Sequence, residues 1–260
     1  MENKPINILQ TVGLSRHYGG VIALSDVEMN IHPGQISSLI GPNGAGKTTL
    51  FNCVTGLDKP TYGATFFLGK RITGFRPDQV TKLGIARTFQ NIRLFTELTV
   101  LDNVKIGRHP RTSSTLVGSV FHTPRQKREE QQITEYAMDM LRFVGLEDIS
   151  DQTAGNLSYG DQRRVEIARA LATKPLLILL DEPAAGMNPQ ETQQLISLIY
   201  TIRDQGISVL LIEHDMKLVM QISDWVTVLD HGEKICDGEP AVVQNDERVI
   251  AAYLGTSDDA

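Results

Sequence analysis

Short apolar runs separated by polar turns dominate the first third of the chain. Residues 23–31 place Leu24, Val27 and Met29 among polar neighbours, which is typical of a strand with one buried face. The run Ile36–Ile40 lies between Gly34 and Gly41 and predicts a short buried strand. Further strands are predicted at residues 8–14, 63–68 and 85–89.

The middle of the chain changes to a helical pattern. Residues 127–144 carry apolar side chains at i, i+3, i+4, i+7, i+8 and i+11 counted from Ile133, which predicts a helix with one buried face. Residues 99–106 form a second predicted helix. Between the two helices, residues 109–123 are rich in Ser, Thr, Gly and His and predict an exposed excursion.

Strands and helices alternate from residue 175 onward. The predicted strands are residues 176–180, 209–212 and 225–229, and the predicted helices are Pro189–Asp204 and Met216–Ile222. Such alternation predicts a mostly parallel sheet with helices on both faces. We therefore expect an α/β fold whose core is flanked by an initial antiparallel strand layer and interrupted by a helical insertion at roughly residues 91–157.

The composition is that of an ordinary globular protein. Of 260 residues, 41% are hydrophobic and 22% charged, and the net charge of −6 is a mild argument against a nucleic-acid partner. Cys53 and Cys236 have no metal-ligand spacing, so we expect buried thiols in a reducing compartment. The sequence shows neither a secretory leader nor a bilayer-spanning apolar stretch, which predicts a soluble cytoplasmic chain that reaches a membrane only through a partner.

A glycine-rich segment, Gly-Pro-Asn-Gly-Ala-Gly-Lys-Thr at residues 41–48, follows a predicted strand and precedes a helix that we expect to begin at Thr49. It fits Gly-x-x-x-x-Gly-Lys-Thr, the phosphate-binding P-loop, in which backbone N–H groups and a helix N-terminus face the phosphates. Lys47 is expected to reach the β- and γ-phosphates, and the Thr48 hydroxyl to hold Mg²⁺. The predicted nucleotide-binding residues of this segment are Gly41, Pro42, Asn43, Gly44, Ala45, Gly46, Lys47, Thr48 and Thr49.

Polar residues follow predicted strands at three other points. Asp181 and Glu182 end a buried strand, His214 ends the next, and Gln90 follows the strand at 85–89. Ligands bind at the carboxyl ends of parallel strands, so Asp181 is expected to hold Mg²⁺, Glu182 to act as general base on the attacking water, and His214 to contact the γ-phosphate. Gln90 is expected to bind Mg²⁺ and the same water. Each of these residues alone would also fit a solvated strand end or a packing role. Because the chain also contains a P-loop, we favour catalytic roles for them.

A second helix start is predicted at Leu157-Ser-Tyr-Gly-Asp-Gln-Arg163, with Ser158 as N-cap and Gly160 leaving room for an anion. A plain capped helix would explain the same residues. Because one nucleotide does not obviously need two anion-binding helix starts, we interpret the second as serving a nucleotide held by another subunit.

Taken in order along the chain, these motifs resemble those of the ATP-binding-cassette ATPases, and the resemblance extends from Ile8 to Leu254. It is carried by Tyr18 (the adenine-stacking aromatic), residues 41–48 (Walker A), Gln90 (Q-loop), residues 157–162 (signature), residues 177–182 (Walker B), residues 184–188 (D-loop) and His214 (switch histidine). The resemblance implies a RecA-like P-loop NTPase fold with ATP and Mg²⁺ as cofactors. It also implies that two such domains enclose two ATP molecules, each between Walker A of one domain and the signature of the other.

By the same resemblance, residues 6–255 form a single nucleotide-binding domain, with a core at 6–90 and 158–255, a helical subdomain at about 91–157, and a frayed tail at 256–260. Three residues depart from the family's pattern. Tyr159 and Asp161 replace a Gly and a Gln of the commonest signature, and Asn188 stands where Asp is usual, which leaves the rate of turnover open. Ser158 and Gly160, which the family uses on the γ-phosphate, are retained.

A narrower resemblance, to the ATP-binding subunit of bacterial branched-chain amino acid importers, is carried by residues 87–95, 157–169, 181–189 and 212–220. It implies a second ATPase subunit, identical or paralogous, two transmembrane permeases that dock near Gln90, an extracytoplasmic binding protein, and a location on the cytoplasmic face of the inner membrane. Relatives serving urea, short amides or lipopolysaccharide are similar. A soluble cassette ATPase acting on ribosomes or DNA, and a module that binds ATP without hydrolysis, are the alternatives from other classes.

Overall fold

A computed structural model of the chain describes residues 7–108 and 124–254. The predicted excursion at 109–123 and the predicted tail at 256–260 lie outside the described residues. The strands are β1 (Leu9–Tyr18), β2 (Val21–Ile31), β3 (Ile36–Ile40), β4 (Tyr62–Phe67), β5 (Lys70–Arg71), β6 (Ile85–Arg87), β7 (Leu177–Asp181), β8 (Ser208–Ile212), β9 (Trp225–Asp230) and β10 (Glu233–Gly238). The α-helices are α1 (Lys47–Thr55), α2 (Pro77–Leu83), α3 (Val100–Ile106), α4 (Pro124–Phe143), α5 (Tyr159–Leu171), α6 (Pro189–Asp204), α7 (Met216–Ile222), α8 (Pro240–Gln244) and α9 (Glu247–Leu254).

Two sheets organise the described residues. The larger has the order β10-β9-β3-β8-β7-β6, in which all neighbours are parallel except β10 and β9. The smaller is antiparallel, with the order β2-β1-β4-β5. The predicted parallel core and the predicted antiparallel layer are therefore both present. Every residue of β3 and β7 is buried, because α5, α6 and α7 pack on one face of the parallel sheet, and α1 packs on the other together with strands of the antiparallel sheet.

Some element ends differ from the prediction because pairing partners, and not local pattern, set them. β1 continues to Tyr18 instead of residue 14, since a tight turn pairs Tyr18 with Val21. β6 stops at Arg87 instead of residue 89, since it is an edge strand that pairs with β7 alone. α1 begins at Lys47, two residues before the predicted start.

The last part of the chain contains structure that the pattern did not predict. β10 forms a hairpin with β9 through His231 and Gly232, both of which have positive φ. α8 and α9 follow, and Val243 and Val249 from these helices pack with Cys236 in a small core cluster that reaches β3 and β9. β10 does not alternate apolar and polar residues, and the five residues of α8 are fewer than two helical turns.

Helices α3, α4 and α5 pack against one another beside the parallel sheet. Val104, Leu141 and Ala168, one from each helix, are fully buried in the largest core cluster. The predicted helix at 127–144 corresponds to α4, which begins three residues earlier and ends one residue earlier than predicted. Among the described residues, none of the helices combines the length and the apolar composition needed to cross a bilayer.

Candidate functional site

The loop at residues 41–48 joins β3 to α1 and curls tightly against neighbouring strands. Gly41 has φ 149° and Gly46 has φ 99°, values that favour glycine. A β-carbon on Gly41 would lie 2.0 Å from the Leu229 carbonyl oxygen, and one on Gly46 would lie 2.6 Å from that of Ala23. As the N-cap of α1, Gly46 offers no side chain to the first helical N–H groups. Those groups therefore remain available to a phosphate.

Lys47 is the first residue of α1 and its ammonium lies inside the loop. Nζ donates to the carbonyl oxygens of Gly41 at 2.6 Å and Pro42 at 2.8 Å. Burial lowers the pKa of Lys47, and the nearby carboxylates of Glu182 and Asp181 oppose that effect. The predicted phosphate-binding cation thus faces the two acidic residues that end β7.

Those two acidic residues have different environments. Asp181 is 4% exposed, and its Oδ2 accepts a hydrogen bond at 2.8 Å from the guanidinium of Arg87. Glu182 has φ 45°, an uncommon value for a residue other than glycine, and its N–H donates to the Ile212 carbonyl at 2.9 Å. The turn after β7 therefore separates a buried, ion-paired carboxylate from a second one that is partly exposed.

The three predicted catalytic side chains meet at one oxygen atom. Gln90 Nε2 donates to Glu182 Oε2 at 2.9 Å, and His214 Nδ1 lies 3.8 Å from the same oxygen. The second distance is too long for a hydrogen bond. The His214 side chain is 64% exposed, whereas that of Glu182 is 21% exposed. The fold thus assembles Gln90, Glu182 and His214 from the ends of three adjacent strands, although their separate roles remain predictions.

A buried arginine that the sequence reasoning missed holds the main chain of Gln90. Arg163 on α5 is fully buried and donates to the carbonyl oxygens of Phe89 at 2.6 Å and Gln90 at 2.7 Å. It is ion-paired with Glu166 at 2.8 Å. Burial raises the pKa of Glu166, and the charges of Arg163 and Arg169 oppose that rise. The helix that begins at the signature is therefore bonded directly to the backbone that presents Gln90.

Glu213 is a second charged residue that the sequence reasoning missed. It is 1% exposed, and it accepts hydrogen bonds from the N–H groups of Ala184 at 2.9 Å and His214 at 3.3 Å. Burial raises its pKa, while these N–H groups lower it. Its place in Leu-Ile-Glu-His was visible in the sequence, but its burial was not. It joins the segment after Glu182 to the segment that carries His214.

The predicted signature residues lie apart from the P-loop. Ser158 caps α5 by accepting a hydrogen bond from the Asp161 N–H at 3.2 Å, and its hydroxyl donates to Asp161 Oδ2 at 2.9 Å. A β-carbon on Gly160 would meet Glu191 Oε1 at 3.0 Å. A cavity of about 110 Å³ lies beside them, and the residues that line it belong to segments 158–164 and 187–195. Among the described residues, no hydrogen bond or ion pair joins Ser158 or Gly160 to residues 41–49.

The D-loop departure Asn188 has a local structural role. Its side chain caps α6 by accepting hydrogen bonds from the N–H groups of Gln190 at 2.9 Å and Glu191 at 3.0 Å. Glu191 completes a reciprocal capping box by accepting from the Asn188 N–H at 2.9 Å. Asn188 is thus accounted for by its capping of the helix, as an aspartate would be.

Tyr18, the predicted adenine-stacking residue, lies at the end of β1 and is 44% exposed. Its hydroxyl donates to the Asp58 carboxylate, and the Arg16 guanidinium carbon lies 4.3 Å from the ring centroid. Arg16 is also ion-paired with Asp58 at 2.7 Å. Burial and the hydrogen bond to Asp58 raise the pKa of Tyr18. These contacts fix the ring orientation at the edge of the antiparallel sheet.

One residue of α1, one that follows β6 and one at the end of β7 fit a magnesium ion held partly by phosphate. Thr48, Gln90 and Asp181 offer hydroxyl, amide and carboxylate oxygens, the hard donors that Mg²⁺ prefers. No group of three or more His, Cys, Asp or Glu that could hold a metal occurs among the described residues.

Comparisons with known proteins agree with this arrangement. A family model described as ABC transporter matches residues 24–185, and one described as branched-chain amino acid ATP-binding cassette transporter matches residues 233–259. The chain is 44% identical over 249 residues to the high-affinity branched-chain amino acid transport ATP-binding protein BraF of Pseudomonas aeruginosa, covering 95% of this chain and 98% of BraF. It is 43% identical to the corresponding protein LivG of Escherichia coli, with the same coverage.

Solved structures show the same architecture. The ADP conformation of MJ1267, an ATP-binding cassette of an ABC transporter, has a TM-score of 0.84 at 35% identity and covers 96% of this chain and 99% of its own. The dimeric cassette MJ0796 bound to ADP and Pi has a TM-score of 0.75 at 26% identity, covering 89% and 98%. The predicted fold class and the prediction of an ABC-type ATPase are thereby confirmed. By its family match and by relatives at 43–44% identity along nearly its whole length, this chain belongs to the ATP-binding-cassette family of ABC transporters.

Proposed function

We propose that this chain is the ATP-hydrolysing subunit of an importer for branched-chain amino acids, working at the cytoplasmic face of the inner membrane. The observation that carries the proposal is the identity of 43–44% to BraF and LivG across 95% of the chain, together with the family match at residues 233–259. Its partners would be a second cassette subunit, identical or paralogous, two transmembrane permeases that dock near Gln90, and indirectly an extracytoplasmic binding protein. We expect no nucleic-acid partner.

For ATP binding, we propose that the loop at residues 41–48, with Thr49, holds the phosphates and Tyr18 stacks on adenine. The uncapped N–H groups at the start of α1 and the Lys47 ammonium inside the loop support this assignment. Thr48, Gln90 and Asp181 would hold Mg²⁺, which neutralises phosphate charge when bound. Ser158 and Gly160 would contact the γ-phosphate of a nucleotide held by the partner cassette.

For hydrolysis, Glu182 would orient and polarise the attacking water, with Gln90 and His214 positioned around the same carboxylate. His214, whose side chain is more exposed than that of Glu182, would contact the γ-phosphate once nucleotide is bound. We propose the domain limits given above, a core at residues 6–90 and 158–255 and a helical subdomain at about 91–157. ATP binding would close two cassettes, hydrolysis and phosphate release would open them, and the movement would reach the permeases through the groove near Gln90.

The test combines partner capture with uptake. A tagged chain would be purified from detergent-solubilised native membranes and its companions identified by mass spectrometry. We expect multi-span membrane proteins and a second cassette ATPase. Uptake of radiolabelled leucine, isoleucine and valine would then be measured in a deletion strain carrying wild type or E182Q, and we expect only wild type to restore uptake.

Other outcomes would redirect the assignment. Restored uptake of urea or a short amide, without uptake of branched-chain amino acids, would leave the ATPase in place and contradict the cargo. Recovery in the soluble fraction with ribosomal or DNA-repair proteins would contradict the transport role. Equal uptake with E182Q would contradict the proposed role of Glu182, since the two variants differ by one side-chain group.

A further inference from the structure

Arg87 lies between the two elements that would hold the metal. We propose that Arg87 is a positioning residue that sets the affinity of this site for Mg²⁺ by bridging Asp181 at the end of β7 to helix α1. The inference rests on the nucleotide site proposed above and assigns a role to a residue outside the motifs of that site.

The bridge is formed by a single guanidinium group. Its Nη2 donates to Asp181 Oδ2 at 2.8 Å, and its Nη1 donates to Asn52 Oδ1 at 2.7 Å and lies 3.4 Å from Thr55 Oγ1. The hydrogen bonds found among the described residues engage Oδ2 of Asp181 and not Oδ1. One oxygen of the carboxylate is thereby fixed, while the other stays available to a metal shell.

The contacts on α1 lie on the same helical face as the predicted metal ligand. Thr48, Asn52 and Thr55 are spaced at i, i+4 and i+7, so they form one stripe along the helix. Arg87 therefore holds the stripe that begins with Thr48 at a set distance from Asp181. A metal ion bound between a hydroxyl and a carboxylate requires that spacing, because Mg²⁺ demands near-ideal octahedral geometry.

The guanidinium is itself held firmly. The Arg87 side chain is 7% exposed, and its guanidinium carbon lies 5.5 Å from the ring centroid of Phe51 and 5.1 Å from that of Phe89. Its Nε is buried and has no hydrogen-bond partner among the described residues. Placing an arginine here carries a desolvation cost, which its hydrogen bonds to α1 and Asp181 offset only in part.

Lysine would not reproduce this arrangement. Arginine presents donors in a rigid planar fork that can reach two acceptors on different elements, whereas an ammonium is a point charge on a flexible stem. A positive charge beside Asp181 is therefore not the whole of the proposed role. The distance that the fork sets between α1 and β7 is the other part, and it makes R87K a discriminating variant.

The experiment measures nucleotide binding and requires no turnover. Binding of a fluorescent ADP analogue would be titrated in EDTA and then across a range of Mg²⁺ concentrations, for wild type, R87M, R87K and N52A. We expect R87M to bind the analogue in EDTA within about twofold of wild type and to need about tenfold more Mg²⁺ for half-saturation, the effect typical of losing a residue that orients a metal ligand. R87K should be intermediate, and N52A should shift the midpoint in the same direction by a smaller factor, since it breaks only the α1 side of the bridge.

The matched control is R76M, which removes an arginine from an exposed ion pair with Asp78 and should leave the Mg²⁺ midpoint unchanged. Circular dichroism and thermal unfolding would establish that each variant is folded. If R87M does not fold, R87K and N52A carry the test.

Three results would overturn the inference. An unchanged Mg²⁺ midpoint in folded R87M, R87K and N52A would do so, even if their melting temperatures fall, because that pattern means a structural role alone. If R87M weakens binding of the ADP analogue in EDTA by as large a factor as it raises the Mg²⁺ midpoint, Arg87 acts on the nucleotide and not on the metal. If wild type itself shows no response to Mg²⁺, the proposed metal site fails, and the role of Arg87 fails with it.

Discussion

Two helix starts in this chain are candidates for binding a phosphate, and the structure treats them differently. α1 begins after Gly46, which has no side chain to cap the helix, so its first N–H groups are open and lie beside Lys47. α5 begins after Ser158, whose hydroxyl both accepts from the Asp161 N–H and donates to the Asp161 carboxylate. The first site offers open N–H groups to an anion, whereas at the second the Asp161 N–H is already bonded to the Ser158 hydroxyl.

The surroundings of the two helix starts differ in the same sense. Around α1, residues from β3, β6, β7 and β8 converge so that Lys47, Gln90, Glu182 and His214 lie together. Beside the first turn of α5, the cavity next to Ser158 and Gly160 is lined by α6 and the loop before it. A helix N-terminus therefore becomes a phosphate site when polar and charged residues of other elements lie opposite it. α5 would need a nucleotide bound to another subunit to lie opposite its N-terminus. The four predictions that follow test this difference.

The largest expected effect is on turnover, at the α1 side. E182Q removes the group proposed to polarise water and keeps its shape, so phosphate release should fall about 1,000-fold while ATP binding stays within about twofold. The measurement is phosphate release by purified protein together with equilibrium ATP binding. E233Q, at an exposed position on β10, is the control. Turnover near that of wild type would contradict the general-base role.

The next largest effect is on binding at α1. K47A removes the ammonium that lies inside the loop, and ATP affinity should weaken about 100-fold through loss of charged hydrogen bonds to phosphate. Titration with a fluorescent ATP analogue measures this directly. K82A, an exposed lysine on α2, should bind ATP like wild type. An unchanged affinity for K47A would argue against the P-loop assignment.

At the α5 side we expect an effect on turnover without an effect on binding to the single chain. S158A loses the cap of α5, at about 1 kcal/mol of stability, and should lower turnover about tenfold, since one donor to the partner's nucleotide is lost. S197A on α6 removes a comparable hydroxyl and serves as control. If S158A weakened ATP binding by the monomer, the separation between the two helix starts would be wrong.

The smallest expected effect concerns Asp161, whose carboxylate accepts a hydrogen bond from the Ser158 hydroxyl. D161N removes a negative charge at the start of α5 and should raise turnover about threefold, the size expected for one charge near a helix terminus. The assay is phosphate release at saturating ATP, with D151N, an exposed substitution, for comparison. A fall in turnover would show that Asp161, through its contacts with Ser158 and Arg164, helps to build the site instead of blocking it.

The sequence predicted the nucleotide loop and the strands on either side of it because their signals are local. A glycine-rich loop, a buried five-residue strand and a strand-end carboxylate are each contained within a few residues. β10 and α8 were not predicted, since Glu-Lys-Ile-Cys-Asp-Gly in β10 does not alternate apolar and polar residues and the five residues of α8 are fewer than two helical turns. The ends of some strands differ from the prediction because pairing with a neighbouring strand sets them, as at the turn between β1 and β2.

What only the tertiary structure decided is which polar groups meet. Arg87 bonds to Asp181 across 94 positions, and Arg163 bonds to the Gln90 carbonyl across 73. Hydrophobic pattern identifies the face of an element that is buried, but a buried charge needs polar partners, and here several of those partners come from distant parts of the chain. The sequence thus determined the phosphate loop, its strand and its acidic residues by itself, while packing of the sheet and helices determined which charged groups hold them in place.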